Sequence, residues 1–271
     1  MKKDWLSQYV DCKVLINLEY RVDRYDQAVA ELEKIGVTDI HHFPAVKHPI
    51  GISGCTRSHY EIVKIAKENG YKNILIFEDD VYFTDNKEIL QSNIIKCFEQ
   101  IKANGIQPDF LYLGGYLTAP PGGTILNSKP DTMDKNIYEL SGNRYTKTDM
   151  KYHQRIDDNL YELGGCKTTH AYIIYESAYD TIINGLKDTE WDNPESWRGD
   201  HRCNIDFWYL CKIQHDGYDE HTDIKHRQFT PYGIYPCMAG QRESYSDIQN
   251  RQEDFLDMPK RWNEMLKRLN D

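Results

Sequence analysis

The feature that most constrains this chain is the run Asn73-Ile74-Leu75-Ile76-Phe77-Glu78-Asp79-Asp80-Val81, where unbroken apolar residues turn abruptly into three consecutive carboxylates. An apolar run without alternation reads as a strand buried on both faces, as in a parallel sheet covered by helices. In open α/β sheets the ligand crevice lies just beyond the carboxyl ends of the strands. Three acids at such an edge repel one another unless a cation sits among them. Hard divalent cations such as Mg2+ or Mn2+ take carboxylate oxygens, and bind through one or two carboxylates plus substrate phosphates. The run therefore points to a metal site for a diphosphate. The alternative is an acidic loop after a core strand, in which Asp79 or Asp80 caps the next helix.

A chain of 271 residues can hold one large α/β domain or two small ones. Its 33 basic residues against 43 acidic ones leave no basic footprint for nucleic acid or an anionic membrane. Mean hydropathy is low, at −0.73, and no apolar segment approaches the length of a transmembrane span. The start, Met1-Lys2-Lys3-Asp4-Trp5, lacks the apolar centre of a signal peptide. Seven scattered cysteines show no C-x-x-C spacing, so neither a zinc site nor a disulfide framework is expected, and a reduced, cytoplasmic setting is.

Around the acidic run the pattern is βαβ-like. Lys13 to Leu18 reads as a first buried strand, and Tyr25, Ala28, Val29, Leu32 and Ile35 recur at helical spacing after it. Ile40 to Val46 reads as a second strand, broken by Pro44. The first turn holds Arg21 and Arg24 instead of a glycine-rich loop. They either face a nucleotide's phosphates or pair with Glu19, Asp23 or Asp26 on a solvated face. Gly51 to His59 leads into a helix, where small residues would let a ligand approach exposed backbone N–H groups. His59 is there either a phosphate or sugar contact or a packed, hydrogen-bonded histidine. Asp109 to Leu113 reads as another short strand, opening into Gly114-Gly115.

From Tyr116 to about Cys166 periodicity fails, which marks either a functional loop or small insertion with the character of an acceptor-binding lid, or a disordered stretch. Order returns with a strand over Thr168 to Tyr175 and a helix over Ala178 to Leu186. Asp206, at the start of a helical segment, is either a general base or an acid favoured by the helix dipole. The tail from Arg251 reads as a peripheral helix. The expected organisation is one domain over 1–250, with a nucleotide and metal half at 13–115 and an acceptor half at 116–250, followed by the tail at 251–271.

The chain resembles glycosyltransferase family 25, which includes lipooligosaccharide galactosyltransferases and collagen hydroxylysine glycosyltransferases. The matching motifs are Val14-Leu15-Ile16-Asn17-Leu18 with Arg21 and Arg24, Gly54-Cys55 with Ser58-His59, Phe77 through Val81, and Leu111-Tyr112-Leu113-Gly114. Thr169 through Ile174, Asp206, and Gln241 with Ser246-Asp247-Ile248 complete the set in the family's order. His170, where small residues are usual, and Asn204-Ile205, in place of a proline-containing lead-in, depart from it.

The resemblance implies an α/β fold of the GT-A type, a UDP-sugar donor and a divalent metal, Mn2+ or Mg2+, at the acidic run. Asp80 is the first choice of metal ligand. Two-residue alternation puts Glu78 on its side of the strand, to contact metal or ribose, and turns Asp79 away to orient the loop. Asn17, Arg21, Arg24, Ser58, His59, Glu78, Thr169 and Gln241 are the implied donor contacts. The resemblance also implies inverting displacement, for which Asp206, and after it Asp200, would serve as base toward a glycan or collagen-like acceptor. Two other classes stay open: another nucleotide-sugar enzyme, against which the absence of a Walker-type loop counts, and a catalytically silent carbohydrate-binding module.

Overall fold

The computed structural model describes residues 3–84, 86–117, 137–140, 143–146, 153–192, 204–214, 229–246, 251–253 and 256–267. In chain order the elements that build the site are strand β1 (Cys12–Asn17), helix α1 (Val22–Lys34), β2 (His41–Pro44), α2 (Gly51–Glu68), β3 (Asn73–Glu78), β4 (Val81–Phe83), α3 (Lys87–Ala103) and β5 (Phe110–Tyr112). Then come β6 (Tyr116–Leu117), a hairpin of β7 (Ile137–Leu140) and β8 (Asn143–Thr146), β9 (Gln154–Asp157), β10 (Leu160–Glu162), β11 (Cys166–Lys167), β12 (Ala171–Tyr175) and α4 (Glu176–Leu186). Last are α5 (Ile205–Trp208), which runs on as a π-helical stretch over Tyr209–Gln214, β13 (Pro231–Ile234), β14 (Ala239–Gln241), β15 (Ser244–Ser246), β16 (Arg251–Glu253) and α6 (Met258–Lys267).

The central sheet has eight strands in the order β2-β1-β3-β12-β5-β13-β10-β9. Its pairings make β1, β2, β3, β5, β13 and β9 run one way, with β12 and β10 against them. Alternation along the strands divides the core in two. Val14, Ile16, Ile74, Ile76, Tyr172 and Ile174 face α2, α4 and α6, while Leu15, Leu75, Phe77 and Ile173 face α1 and α3. Helices on both faces explain why the apolar run of β3 does not alternate: Ile74 through Phe77 are all at most 1% exposed.

Two expectations change. Between Tyr116 and Cys166, β9 and β10 belong to the central sheet, and Leu160 and Tyr161 are fully buried. β10 is core and β9 is a partly exposed edge strand, not a lid, and residues 118–136, 141–142 and 147–152 lie outside the described ones. At the other end, α6 is no rim element. Its Trp262, Met265 and Leu266 are buried, and the Trp262 indole donates to the Ile234 carbonyl at 2.9 Å. Among the described residues no helix is long and apolar enough to cross a membrane, and Cys12, Cys55, Cys97, Cys166 and Cys237 are unpaired.

Candidate active site

The direction of β12 decides what meets the acidic run. It pairs antiparallel to β3, Ala171 opposite Phe77, so its lead-in at 168–170 lies at the carboxyl end of β3. From β5 the chain passes through Leu113-Gly114, pinned by hydrogen bonds to Ala171 and to Met238 and Ala239. A Cβ on Gly114 would lie 1.9 Å from the Ala239 carbonyl oxygen, so only glycine lets that approach happen. Thus β14 reaches the same edge, paired to β4 with Gln241 opposite Val81.

The three carboxylates divide between the two faces of the sheet. Glu78 follows Ile74 and Ile76 in alternation and turns to the α2 face. There His59 Nε2 is 3.1 Å from Glu78 Oε1, and the Thr169 hydroxyl donates to the same oxygen at 2.5 Å. The Tyr172 hydroxyl lies 2.8 Å from His59 Nδ1, and both side chains are fully buried. Burial pushes the Glu78 carboxyl up, but the His59 hydrogen bond and charge, with Thr169, outweigh it and hold the group below its usual range.

The strand ends at Glu78, and Asp79-Asp80 form the turn into β4. The alternation expected to bring Asp80 round beside Glu78 stops there, and both aspartates turn to α1. Asp79 Oδ1 pairs with the Arg24 guanidinium, and Asp79 Oδ2 accepts from Asn17 Nδ2 at 2.7 Å. Asp80 Oδ2 lies 3.2 Å from Arg24 and accepts from Gln241 Nε2 at 3.5 Å. Arg242 braces the turn, its guanidinium donating to the Asp79 carbonyl and its backbone N–H to the Asp80 carbonyl at 2.7 Å. Asp80 Oδ1 is buried with no hydrogen-bond partner among the described residues. Burial and repulsion from Glu78 exceed the pull of Arg24 and push the Asp80 carboxyl up to about 7. Burial also raises Asp79, against Arg24 and Asn17.

Asp206, near the start of α5, is brought in by Thr168. Asp206 Oδ2 accepts from the Thr168 backbone N–H at 3.4 Å, and Thr168 holds a left-handed φ of 72°. A β-branched residue there carries about 1–3 kcal/mol of strain. His170 is a strut: its Nε2 faces the Ala239 carbonyl at 3.3 Å, and burial pushes it down to about 4, keeping it neutral.

Of the candidate donor contacts, Asn17, Arg24, His59, Glu78, Thr169 and Gln241 gather at this edge. Arg21 pairs with Asp23 at 3.2 Å on the α1 entrance. Ser58 is fully buried, donating to the Gly54 carbonyl and accepting from Val46 N–H, each at 2.8 Å. Its hydroxyl fixes the approach to α2. Asp200 lies outside the described residues. Arg242 and Tyr172 were not singled out from sequence. Arg242 directly follows Gln241, and a cation there was the one signal for it. Tyr172 sits inside a strand motif, where its hydroxyl gives no pattern.

Residues 50–193 match the sequence profile of the family described as Glycosyltransferase family 25 (LPS biosynthesis protein). A human protein named inactive glycosyltransferase 25 family member 3 is 31% identical over 80 residues, which is 30% of this chain and 13% of that protein. Among solved structures, a glycosyltransferase involved in glycosylation of the major capsid of PBCV-1 aligns at 9% identity and a TM-score of 0.29. That alignment covers 68% of this chain and 71% of the other. Mannose-1-phosphate geranyltransferase from Thermus thermophilus aligns at 11% identity and a TM-score of 0.33, over 84% of this chain and 61% of the other.

Proposed function

The chain belongs to glycosyltransferase family 25, and from that premise we propose that it transfers a hexose from a UDP-sugar to an acceptor hydroxyl. The acceptor is a glycan or a hydroxylysine-type, collagen-like protein, and the reaction is an inverting direct displacement. The α/β sheet with helices on both faces agrees with the GT-A type. One observation carries the reading: a buried carboxylate oxygen, Asp80 Oδ1, has no partner among the described residues at the carboxyl end of a central strand. An unpaired carboxylate oxygen in a buried setting is costly, and a cation is one partner that satisfies it.

The donor set fits a hard cation. Asp80 would hold Mn2+ or Mg2+ first, with Glu78 across the edge and Asp79 behind. The ion, when bound, would neutralise charge growing on the departing nucleoside diphosphate. The chain's own residues do the rest. Asn17 and Arg24 fix Asp79, and Arg24 and Gln241 hold one oxygen of Asp80, leaving its Oδ1 for the ion. Gln241 and Arg242 tie β14 to the turn, so the donor's floor is assembled from both halves of the sequence. Thr169 and His59 keep Glu78 ionised. Asp206 takes the proton from the attacking hydroxyl, with Asp200 as the second choice.

The test is nucleotide release from a panel of UDP-, GDP- and CMP-sugars, with Mn2+ and with chelator. Metal-dependent release from one UDP-sugar, abolished in Asp80→Ala, is the expected result. The human relative is named inactive, and the rival reading for this chain is a catalytically silent carbohydrate-binding module. No release, and no thermal stabilisation by any nucleotide, would select it.

A further inference from the structure

Cys55 is unused by the reading above, yet it sits among the acids. Cys55 and His59 are four residues apart on α2 and share one face of that helix. Glu78 meets that face from the end of β3. Ligand atoms of the three side chains lie within 4.8 Å of one another. We infer that Cys55, His59 and Glu78 form a second cation site, for a thiophilic divalent ion of the Zn2+ kind, on the α2 face of the acidic edge.

Chemistry separates this site from the Asp80 side. Thiolate and imidazole select softer ions, whereas an all-carboxylate set suits Mg2+ or Mn2+. Three protein ligands are the number that catalytic zinc sites use. The surroundings support it in two ways. The Tyr172 hydroxyl at His59 Nδ1 is the outer partner that an imidazole ligand ordinarily has, and it fixes the ring so that Nε2 points at Glu78. Burial, and after it the negative charge of Glu78, Asp206, Asp80 and Asp79, push the Cys55 thiol well above its usual range, so it gives up its proton only when a cation comes in, which the same charge attracts. On binding, the ion replaces the proton between His59 and Glu78, and the Cys55 thiol releases its proton to solvent. Occupancy takes Glu78 away from the donor side, so a soft ion there would act as a brake. The site itself does not depend on the transferase reading.

Co2+ serves as the spectroscopic probe for Zn2+. The chelator-stripped, reduced full chain is titrated with Co2+ and then with Zn2+. Expected is a near-ultraviolet thiolate-to-cobalt charge-transfer band, removed by Zn2+, lost in Cys55→Ser and kept in Asp80→Asn. Tyr172→Phe should weaken Co2+ binding roughly tenfold. Absence of the band in the unaltered chain overturns the inference without recourse to any variant. So does a band that persists in Cys55→Ser with a native circular dichroism spectrum, or one lost in natively folded Asp80→Asn. A band in the Co2+-loaded chain, with neither nucleotide release nor nucleotide stabilisation when the stripped chain is given Mn2+ alone, would sink the transferase reading and leave this site standing.

Discussion

Glu78 and Asp80 are two residues apart at one strand end, and the fold treats them oppositely. Glu78 receives two donors on a single oxygen and is held ionised; Asp80 keeps an oxygen without a donor and is pushed up to about 7. The difference comes from which face each meets. On the α2 side, His59, Thr169 and Tyr172 form a closed hydrogen-bonded set. On the α1 side, Arg24 is shared between two aspartates and satisfies Asp79 first. The α2 side is hydrogen-bonded as it stands and would exchange those bonds only for a soft ion, whereas the α1 side is unfinished at Asp80 and is the one proposed to take a hard cation.

Four substitutions sharpen that contrast. The largest effect is expected from Asp206→Asn, which should keep donor binding yet slow transfer roughly a thousandfold; turnover and UDP affinity measured on the same preparation check it, and normal turnover removes Asp206 from the base role. Arg24→Met should destabilise the fold by about 3 kcal/mol, because it strands two buried carboxylates. Urea unfolding would show that loss shrinking as pH falls and the aspartates take up protons.

Asp80→Asn should act in the opposite sense. Asp80 rises from an ordinary 3.8 to about 7 in the folded chain. Between those values the folded chain keeps a proton that the unfolded chain has released, so stability is lost as pH rises through the folded value. With chelator present, the Asn variant should melt a few degrees higher than the parent at about pH 8, with the gain gone near pH 4. The smallest effect is Tyr172→Phe, which removes one buried hydrogen bond on the closed side and should cost about 1 kcal/mol in the same urea assay.

The parts of this fold legible in sequence were those with long, unambiguous runs. The apolar stretch of β3 needed two covered faces, and the helices over α2 and α3 carried their own spacing. Strands β9 and β10 escaped because four and three residues give no period to read. The place of β10 is set by pairing with β13, from residues about 70 positions away in the chain. The acidic run marked the candidate site but not its division between the two faces. Alternation was carried past Glu78, where the strand stops and the turn into β4 begins. Nor does sequence reveal that an arginine already stands among the acids. Arg24 becomes a partner only because α1 packs across the end of β3.

The central claim is that the unfinished side, through Asp80, is where a hard metal is held with the donor. Mn2+ electron paramagnetic resonance, titrated with and without UDP, reads this directly. The account predicts that the full chain binds Mn2+ and that UDP tightens it, while folded Asp80→Ala leaves the ion free in solution. Equal Mn2+ binding by the parent and by Asp80→Ala would contradict it.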